Sequence, residues 1–281
     1  LGMKDYEVLI RSSAFVVKSS LPDGPGYHVV TSSHNLAPWR FPRYYPEPFL
    51  EYVNEGHIHY TLEVRNSQGE SISSIDILPN SFHHREQDIG IAHFDKDESK
   101  VLSVFKTLLF QKLDIENYKL SDQEKIEFHG HEVSTEGIDE GDVNTPAGKD
   151  LRLSLPRSYT GEVLGRSAHQ IFCQTQGGVL SQGMCGGPVV GQRGSICGMV
   201  EGIVPQEHPE SFLRGAAVII ESPDILDFIK SVERVMTGEN EVSDDVVHLT
   251  GGEIAYRTIG VQAVEEKDKY KDPFENIMKN T

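Results

Sequence analysis

The hexapeptide Gly-Met-Cys-Gly-Gly-Pro at residues 183–188 decides how this chain is interpreted. It places the thiol of Cys185 among glycines, which let a backbone turn tightly and leave room for another group to approach. The N–H groups of Gly183 and Cys185 can then point into one pocket, where a developing oxyanion would be stabilised. A Gly-Gly-Pro run is also typical of an ordinary turn. The hexapeptide therefore indicates a nucleophile only if a base and an acid accompany it.

A candidate base and a candidate acid stand upstream of this hexapeptide. Residues 27–34, YHVVTSSH, form a β-branched run that ends in small hydroxyl residues and then His34, so an imidazole is expected at a strand end. Asp88 stands just before the apolar segment 89–92. A nucleophilic thiol needs a neighbouring imidazole, and a third group has to orient that imidazole. Taken singly, His34 also fits a turn and Asp88 also fits a loop cap.

Composition narrows the class of protein and of partner. The chain has 281 residues and a net charge of −17, which disfavours nucleic acid as a partner because like charges repel. The charge suits basic substrates, and it equally suits an ordinary acidic protein. No apolar run approaches the ~18 residues of a membrane span, and the N-terminus lacks the features of a secretory signal. The expected location is therefore intracellular, in the cytoplasm or an organelle.

The three cysteines, Cys173, Cys185 and Cys197, include no C-x-x-C pair. An odd number without framework spacing indicates a reducing compartment and argues against zinc. Four histidines at positions 57, 59, 83 and 84 raise the possibility of another metal site. No carboxylate or cysteine stands at ligand spacing beside them, so exposed strand positions are favoured. Neither a metal nor a cofactor is expected.

Short β-branched segments between glycines and prolines predict many strands, and hence an all-β sandwich or barrel pair. The clearest helix is predicted from Ser222, a suitable N-cap with Pro223 behind it, to Gly238. The proline-rich and aromatic segment 38–48 cannot be a central strand and is interpreted as an insertion. It would be either a lid or partner-docking loop, or an insertion packed onto the first barrel.

Taken together, these blocks resemble trypsin-fold peptidases of the chymotrypsin superfamily, and most of all the HtrA/Deg-type branch. Residues 27–34 resemble that family's GYIVTNAH, and residues 88–91 resemble its DIA[LV]. Residues 174–175 and 183–190 resemble its QTD…GNSGGPLV. The resemblance covers about residues 10–236. The chain departs from the family in having Cys185 where a serine is usual, as in the main proteases of picornaviruses, and in showing no PDZ domain after residue 236.

The resemblance implies a fold of two six-stranded antiparallel β-barrels, a C-terminal helix and a short C-terminal extension. The expected domains are an N-terminal barrel at 1–115 with His34 and Asp88, a C-terminal barrel and helix at 116–238 with Cys185, and an extension at 239–281. It also implies an endopeptidase that cleaves peptide bonds through a Cys-His-Asp triad and a thioester. The amides of Gly183 and Cys185 would form the oxyanion hole.

The resemblance further implies where a substrate would bind. Val179 would form the floor of the primary pocket, and its wall would consist of Val200, Glu201 and Gly202. An apolar floor predicts a small or medium apolar residue before the cleaved bond, unless Glu201 faces inward rather than solvent. The partner is then a protein or peptide substrate; oligomers are possible but not predicted. Two other interpretations stay open. One is a catalytically inactive protease-like scaffold or binding module, and the other is a serine protease with an engineered Ser-to-Cys change.

Overall fold

The computed structural model describes residues 8–22, 24–94, 103, 113–134, 153–167, 170–238 and 245–250. Within these ranges the chain is mostly strand and forms two antiparallel sheets. The first sheet contains six strands, which are β1 (Phe15–Lys18), β2 (Tyr27–Thr31), β3 (Tyr60–Arg65), β4 (Ser71–His84), β5 (Gly90–Phe94) and β12 (Val246–Leu249). The second contains β6 (Lys125–Ser134), β7 (Leu153–Arg166), β8 (Ile171–Thr175), β9 (Pro188–Gly191), β10 (Ile196–Ile203) and β11 (Ala217–Glu221).

The second sheet closes into a six-stranded barrel in the order β10-β11-β8-β7-β6-β9. Closure leaves no unpaired strand edge, and side chains that alternate inward fill the interior. The barrel core includes the fully buried Phe128, Met184, Val189 and Ile219. Met184 directly precedes Cys185, so the barrel core anchors the hexapeptide from one side.

The first sheet runs in the order β1-β2-β5-β4-β12, with β3 paired to β4. Among the described residues this sheet stays open, so the two halves differ in closure. The expected all-β architecture of two six-stranded antiparallel sheets and a C-terminal helix is confirmed, and among the described residues one of the two predicted barrels is closed.

Among the described residues the helices are few, and all but one are short. Helix α1 is the single turn Ser33–Leu36, and helix α2 is Ser222–Thr237. Glu221 is the N-cap of α2, and Gly238 ends it in the left-handed region at φ 72°, a conformation that glycine adopts without strain. In the part of the chain that the structure describes, four 3₁₀ turns connect other elements, at Pro38–Arg40, Pro48–Tyr52, Glu55–His57 and Ser211–Leu213. No helix in the described ranges is long and apolar enough to cross a membrane.

Helix α2 joins the two sheets through its apolar face. Ile225, Phe228, Ile229 and Val232 are buried in one cluster with residues of both sheets, among them Ile91 and Met199. An amphipathic helix buries such a face against whatever core lies beneath it. The helix therefore helps to hold the two halves, and the residues that each half carries, in one arrangement.

The segment after α2 returns to the first sheet. Strand β12 pairs antiparallel with β4, with Val246 opposite His84 and Leu249 opposite Ser81. The sequence predicted 239–281 as an extension, and most of that range lies outside the described residues. The part that is described adds an edge strand to the first sheet.

A buried polar network ties α2 to the N-terminal segment and to β2. Glu233 of α2 accepts hydrogen bonds from the Ser19 hydroxyl at 3.0 Å, the Ser20 backbone N–H at 2.8 Å and His28 Nε2 at 2.9 Å. His93 Nε2 in turn lies 2.9 Å from His28 Nδ1. Burial alone would raise the pKa of Glu233, but the hydrogen bonds from His28, Ser20 and Ser19 outweigh it and lower the pKa to about 2.

A lowered carboxylate pKa stabilises the fold above the pKa of the unfolded chain, near 4.5, and this stabilisation is lost as pH falls towards 2. We therefore expect Glu233→Gln to destabilise the protein at neutral pH by about 3 kcal/mol. The variant should also flatten the dependence of stability on pH between about 4.5 and 2. Urea unfolding at a series of pH values measures both effects.

Asp227→Asn is the matched control, because Asp227 lies on the same helix with its side chain 74% exposed. It should leave the pH profile unchanged. Identical profiles for wild type and Glu233→Gln would contradict the role given to Glu233.

Candidate active site

Cys185 lies on the loop that joins β8 to β9, at the mouth of the closed barrel. The glycines beside it are required by geometry: Gly183 has φ +96° and Gly186 has φ +83°, values that other residues rarely adopt. A Cβ on Gly183 would also lie 2.6 Å from the carbonyl oxygen of His131. The loop is therefore packed tightly against its surroundings, while Cys185 itself stays partly exposed.

The structure brings His34 and Asp88 together through the pairing of β2 with β5. Thr31, the last residue of β2, is opposite Gly90, the first residue of β5. His34 follows on helix α1, and Asp88 stands two residues before β5. The Asp88 carboxylate accepts the backbone N–H of His34 at 3.0 Å through Oδ1, and Oδ2 accepts a short hydrogen bond from His34 Nδ1. Both side chains are buried, with exposed fractions of 3% for His34 and 0% for Asp88.

His34 also contacts the thiol. Burial alone would lower the pKa of His34. The charge of Asp88 and its hydrogen bond to the imidazole act against burial, as does the nearby Cys185, and together they raise the pKa to about 10. The imidazole is then protonated at neutral pH and lies between the carboxylate and the thiol. An imidazolium in this position stabilises a neighbouring thiolate. The three side chains singled out in the sequence thus meet in one place.

The other two cysteines differ from Cys185. Cys173 and Cys197 are buried in the barrel, and all three thiols are free. Burial raises the pKa of Cys197 to about 12 and raises the pKa of Cys173 as well. Buried thiols of this kind are unreactive, so Cys185 is the thiol placed for chemistry.

The loop between β8 and β9 that carries Cys185 is called the nucleophile loop below. Polar groups of the half that contains the first sheet hold this loop in place. The carbonyl of Cys185 accepts hydrogen bonds from the Ser13 N–H at 3.2 Å and from Asn35 Nδ2 at 3.0 Å. The Ser13 hydroxyl donates to the carbonyl of Gly183 at 2.8 Å. Asn35 follows His34 on α1. This single helical turn therefore carries both the imidazole and the amide, called the clamp below, that holds the backbone of Cys185. Ser13 and Asn35 were not predicted from the sequence, where the adjacency of Asn35 to His34 is the one signal for either residue.

The N–H groups of Gly183 and Cys185 donate no hydrogen bond to any described residue. By contrast, Gly186 donates to the carbonyl of Val200 at 2.8 Å and Gly187 donates to that of Met184 at 3.0 Å. The loop thus uses the amides that follow the thiol for its own structure and leaves the two predicted oxyanion donors available to a ligand.

The four predicted substrate-binding residues occupy different environments. Val179 is 44% exposed, and its side chain lies close to Gly215, where a Cβ would be 2.9 Å from Val179 Cγ2 and 2.7 Å from Gln206 Nε2. Gly202 pairs with Val218 in the barrel wall. The structure therefore assembles Val179, Gln206 and Gly215 around one site, and Gln206 was not foreseen from the sequence.

Val200 and Glu201 face the protein interior. The side chain of Val200 is fully buried. Its backbone N–H donates to the carbonyl of Gly187 at 2.9 Å and so holds the end of the nucleophile loop against β10. Glu201 is 1% exposed and accepts hydrogen bonds from Gln170 Nε2 at 3.0 and 3.1 Å. Glu201 therefore faces inward, rather than solvent, and is held by Gln170.

The aromatic insertion reaches the imidazole. The Tyr44 ring stacks on His34 with centroids 4.8 Å apart and planes 8° apart. Phe41 and Tyr45 lie against the same imidazole at centroid distances of 6.0 and 6.1 Å. Trp39, from the start of the insertion, is buried in a cluster with Leu50 and Leu249. The segment thus packs onto the first sheet and also covers the candidate base.

The described residues contain no group of three or more His, Cys, Asp or Glu side chains placed to hold a metal ion. His59 lies 3.3 Å from Asp76 on an exposed strand pair, and His83 is hydrogen-bonded to the hydroxyls of Ser81 and Ser33. These histidines have structural partners in the sheet.

No protein-family model matches the chain, and no curated protein gives a significant match. Solved structures of proteases are similar at low identity. The HtrA-type protease AlgW with a decapeptide has 14% identity and a TM-score of 0.44 over 78% of this chain. The chain spans 51% of the length of that AlgW structure.

Two further proteases are similar at the same level. The MamO protease domain from Magnetospirillum magneticum has 11% identity and a TM-score of 0.41, with 78% of this chain and 95% of that chain covered. An inactive form of Rv3671c from M. tuberculosis H37Rv has 11% identity and a TM-score of 0.44, with 81% and 84% covered. Identities and TM-scores this low do not bear on the reaction.

Replacing the clamp residue Asn35 by alanine should loosen the nucleophile loop. Loss of a buried hydrogen bond costs about 1 kcal/mol, and the thiol would no longer be fixed relative to His34. We expect slower alkylation of Cys185 by iodoacetamide and a modest fall in thermal stability, measured by mass spectrometry and calorimetry. Asn54→Ala is the control, because the Asn54 side chain caps an exposed turn. Equal alkylation rates in wild type and Asn35→Ala would contradict the clamp.

Proposed function

We propose that this protein is a cysteine-type endopeptidase with a Cys185–His34–Asp88 triad. The single observation that carries the proposal is the buried His34 imidazole, which is hydrogen-bonded to Asp88 and whose pKa is raised by Asp88 and by Cys185. A nucleophile, a base within hydrogen-bond reach and a group that orients the base are the parts that acyl transfer requires.

The reaction begins from the Cys185 thiolate beside protonated His34, which Asp88 holds in the required orientation. The thiolate attacks a peptide carbonyl carbon and forms a C–S bond, while the carbonyl electron pair moves onto oxygen. The N–H groups of Gly183 and Cys185 stabilise that oxyanion. Collapse of the intermediate breaks the C–N bond, and His34 gives its proton to the leaving amine.

The acyl group then remains on Cys185 as a thioester. His34, now neutral, accepts a proton from water, and the resulting hydroxide attacks the thioester carbonyl. Breakage of the C–S bond releases the carboxylic acid product and restores the Cys185 thiolate beside protonated His34. The chain supplies the nucleophile and the group that carries the proton, and the substrate and water supply the rest.

The substrate residue before the cleaved bond is expected to be small or medium and apolar. Val179 offers an exposed apolar side chain, and the bare backbone of Gly215 lies beside it. Gln206 is a neutral polar neighbour at the same site. Glu201, the acid of the predicted wall, is buried and its carboxylate is hydrogen-bonded to Gln170, so it is not free to select Lys or Arg.

A second function is an inactive protease-like binding module. The observation that favours it is the 3% exposure of His34 beneath Tyr44, because a substrate has to reach this imidazole for turnover. The two functions differ in one respect that can be measured, the reactivity of Cys185 in the folded protein.

Turnover is tested with a mixture of denatured proteins as substrate and mass spectrometry to identify the cleaved bonds. Wild type should cleave after small or medium apolar residues, and Cys185→Ala should lower the rate by about a thousandfold or more. His34→Ala should lower it similarly, because the unaided thiol is a poor nucleophile at neutral pH. Cys173→Ala is the matched control and should retain cleavage.

Full activity in Cys185→Ala would refute the proposal, and cleavage mainly after Lys or Arg would refute the predicted specificity. Wild-type protein that cleaves nothing and whose Cys185 reacts no faster than in His34→Ala would instead support the binding module. Cys185→Ser adds a finer comparison, because a serine depends more on general-base help than a thiolate does.

A further inference from the structure

We propose that Tyr44 determines specificity at a second substrate position, by restricting the residue that packs against His34 to glycine or alanine. This inference rests on the proposed peptidase function and concerns the same site. It follows from the position of one aromatic ring, the rigidity of the segment that carries it, and the geometry of an extended peptide.

The Tyr44 ring stacks on one face of the imidazole. Its centroid lies 4.8 Å from that of His34, with 8° between the planes, which is contact distance for stacked rings. Phe41 approaches the imidazole edge-on at 72°, and Tyr45 approaches at 43°. His34 is left 3% exposed, although Cys185 beside it is partly exposed. A ligand can therefore reach the sulfur more easily than it can reach the imidazole face.

The segment that carries Tyr44 is built into the first half. Tyr44 and Tyr45 both donate backbone hydrogen bonds to the carbonyl of Phe41, at 3.0 and 3.1 Å, and Phe41 donates to that of Pro38 at 3.0 Å. Phe41 itself is buried, with an exposed fraction of 3%. Displacing the Tyr44 ring thus disturbs a packed turn, so the wall resists a bulky substrate side chain.

An extended peptide projects successive side chains to opposite sides. If the residue before the cleaved bond points to the site of Val179 and Gly215 on the barrel, the preceding residue points away from it, towards the first half. There its side chain meets His34 and the ring of Tyr44. Glycine and alanine fit beside the stacked pair, whereas leucine and phenylalanine would have to push the ring off the imidazole.

Tyr45 contributes a second property of this wall. Its pKa is raised by burial and by the negative charges of Cys185, Asp88 and Glu47, so its hydroxyl stays protonated. The wall beside the thiolate is therefore uncharged. The Tyr45 hydroxyl adds no charge of its own, and the rings of this wall exclude bulk by shape.

The test uses tripeptidyl acyloxymethyl ketones that carry valine next to the reactive carbonyl and differ only in the preceding residue, which is Gly, Ala, Leu or Phe. The rate of Cys185 labelling is read by intact-mass spectrometry and divided by the rate with iodoacetamide, which carries no peptide. Wild type should react at least about tenfold faster with the Gly and Ala probes than with the Leu and Phe probes. Tyr44→Ala should largely lose this difference, and Tyr44→Phe should keep it.

Tyr52→Ala is the control, because Tyr52 is a 79% exposed aromatic residue of the adjoining segment; it should keep the wild-type pattern. Equal rates for all four probes on wild type would overturn the inference without the use of any variant. An unchanged pattern in Tyr44→Ala would overturn it as well. The proposed function fails separately, if labelling of Cys185 by every probe is as fast in His34→Ala as in wild type.

Discussion

The buried contact between His34 and Asp88 is the interaction on which the rest of the site depends. A carboxylate with 0% exposure is costly to bury unless hydrogen bonds satisfy it, and both the backbone and the imidazole of His34 donate to it. This contact requires Thr31 to lie opposite Gly90. A one-residue slip between β2 and β5 would invert every side chain of the strand, so the register of the sheet fixes the position of the base.

The second requirement is a fixed distance between the imidazole and the thiol, which belong to different halves of the fold. Three connections meet this requirement: the Ser13 and Asn35 hydrogen bonds to the nucleophile loop, the Ser32 hydroxyl bond to the Val200 carbonyl at 3.2 Å, and the apolar face of α2. Groups held in advance in a reactive geometry lower the entropic part of a barrier. The hydrogen bonds of Ser13, Asn35 and Ser32 thus fix the position of the thiol relative to the imidazole.

Local sequence was sufficient to find the parts of the site that depend on local geometry. His34, Asp88 and Cys185 each end or begin a strand-like segment, and the glycines around Cys185 are required by positive φ angles. The all-β fold and the extent of helix α2 follow from spacing and from Gly238 at the helix end in the same way. The predicted N-cap Ser222 is instead the first residue of the helix, after Glu221, and its hydroxyl donates to the carbonyl of Glu116. Ser13 could not be predicted because its partner Gly183 is 170 residues away in the sequence. A single serine carries no local pattern that indicates such a contact. The stacking of Tyr44 on His34 and the pairing of β12 with β4 depend likewise on how distant segments meet.

The central claim is that Asp88 and Cys185 together keep His34 charged. Nuclear magnetic resonance titration of isotope-labelled imidazoles tests it directly, with the His34 signal assigned by its loss in His34→Ala among the twelve histidines of the chain. We expect the imidazole of His34 to remain protonated at neutral pH and to titrate near 10, as its raised pKa requires. In Asp88→Asn the titration should shift to lower pH. A wild-type His34 that titrates near the ordinary value of about 6.5 and does not respond to Asp88→Asn would contradict the account.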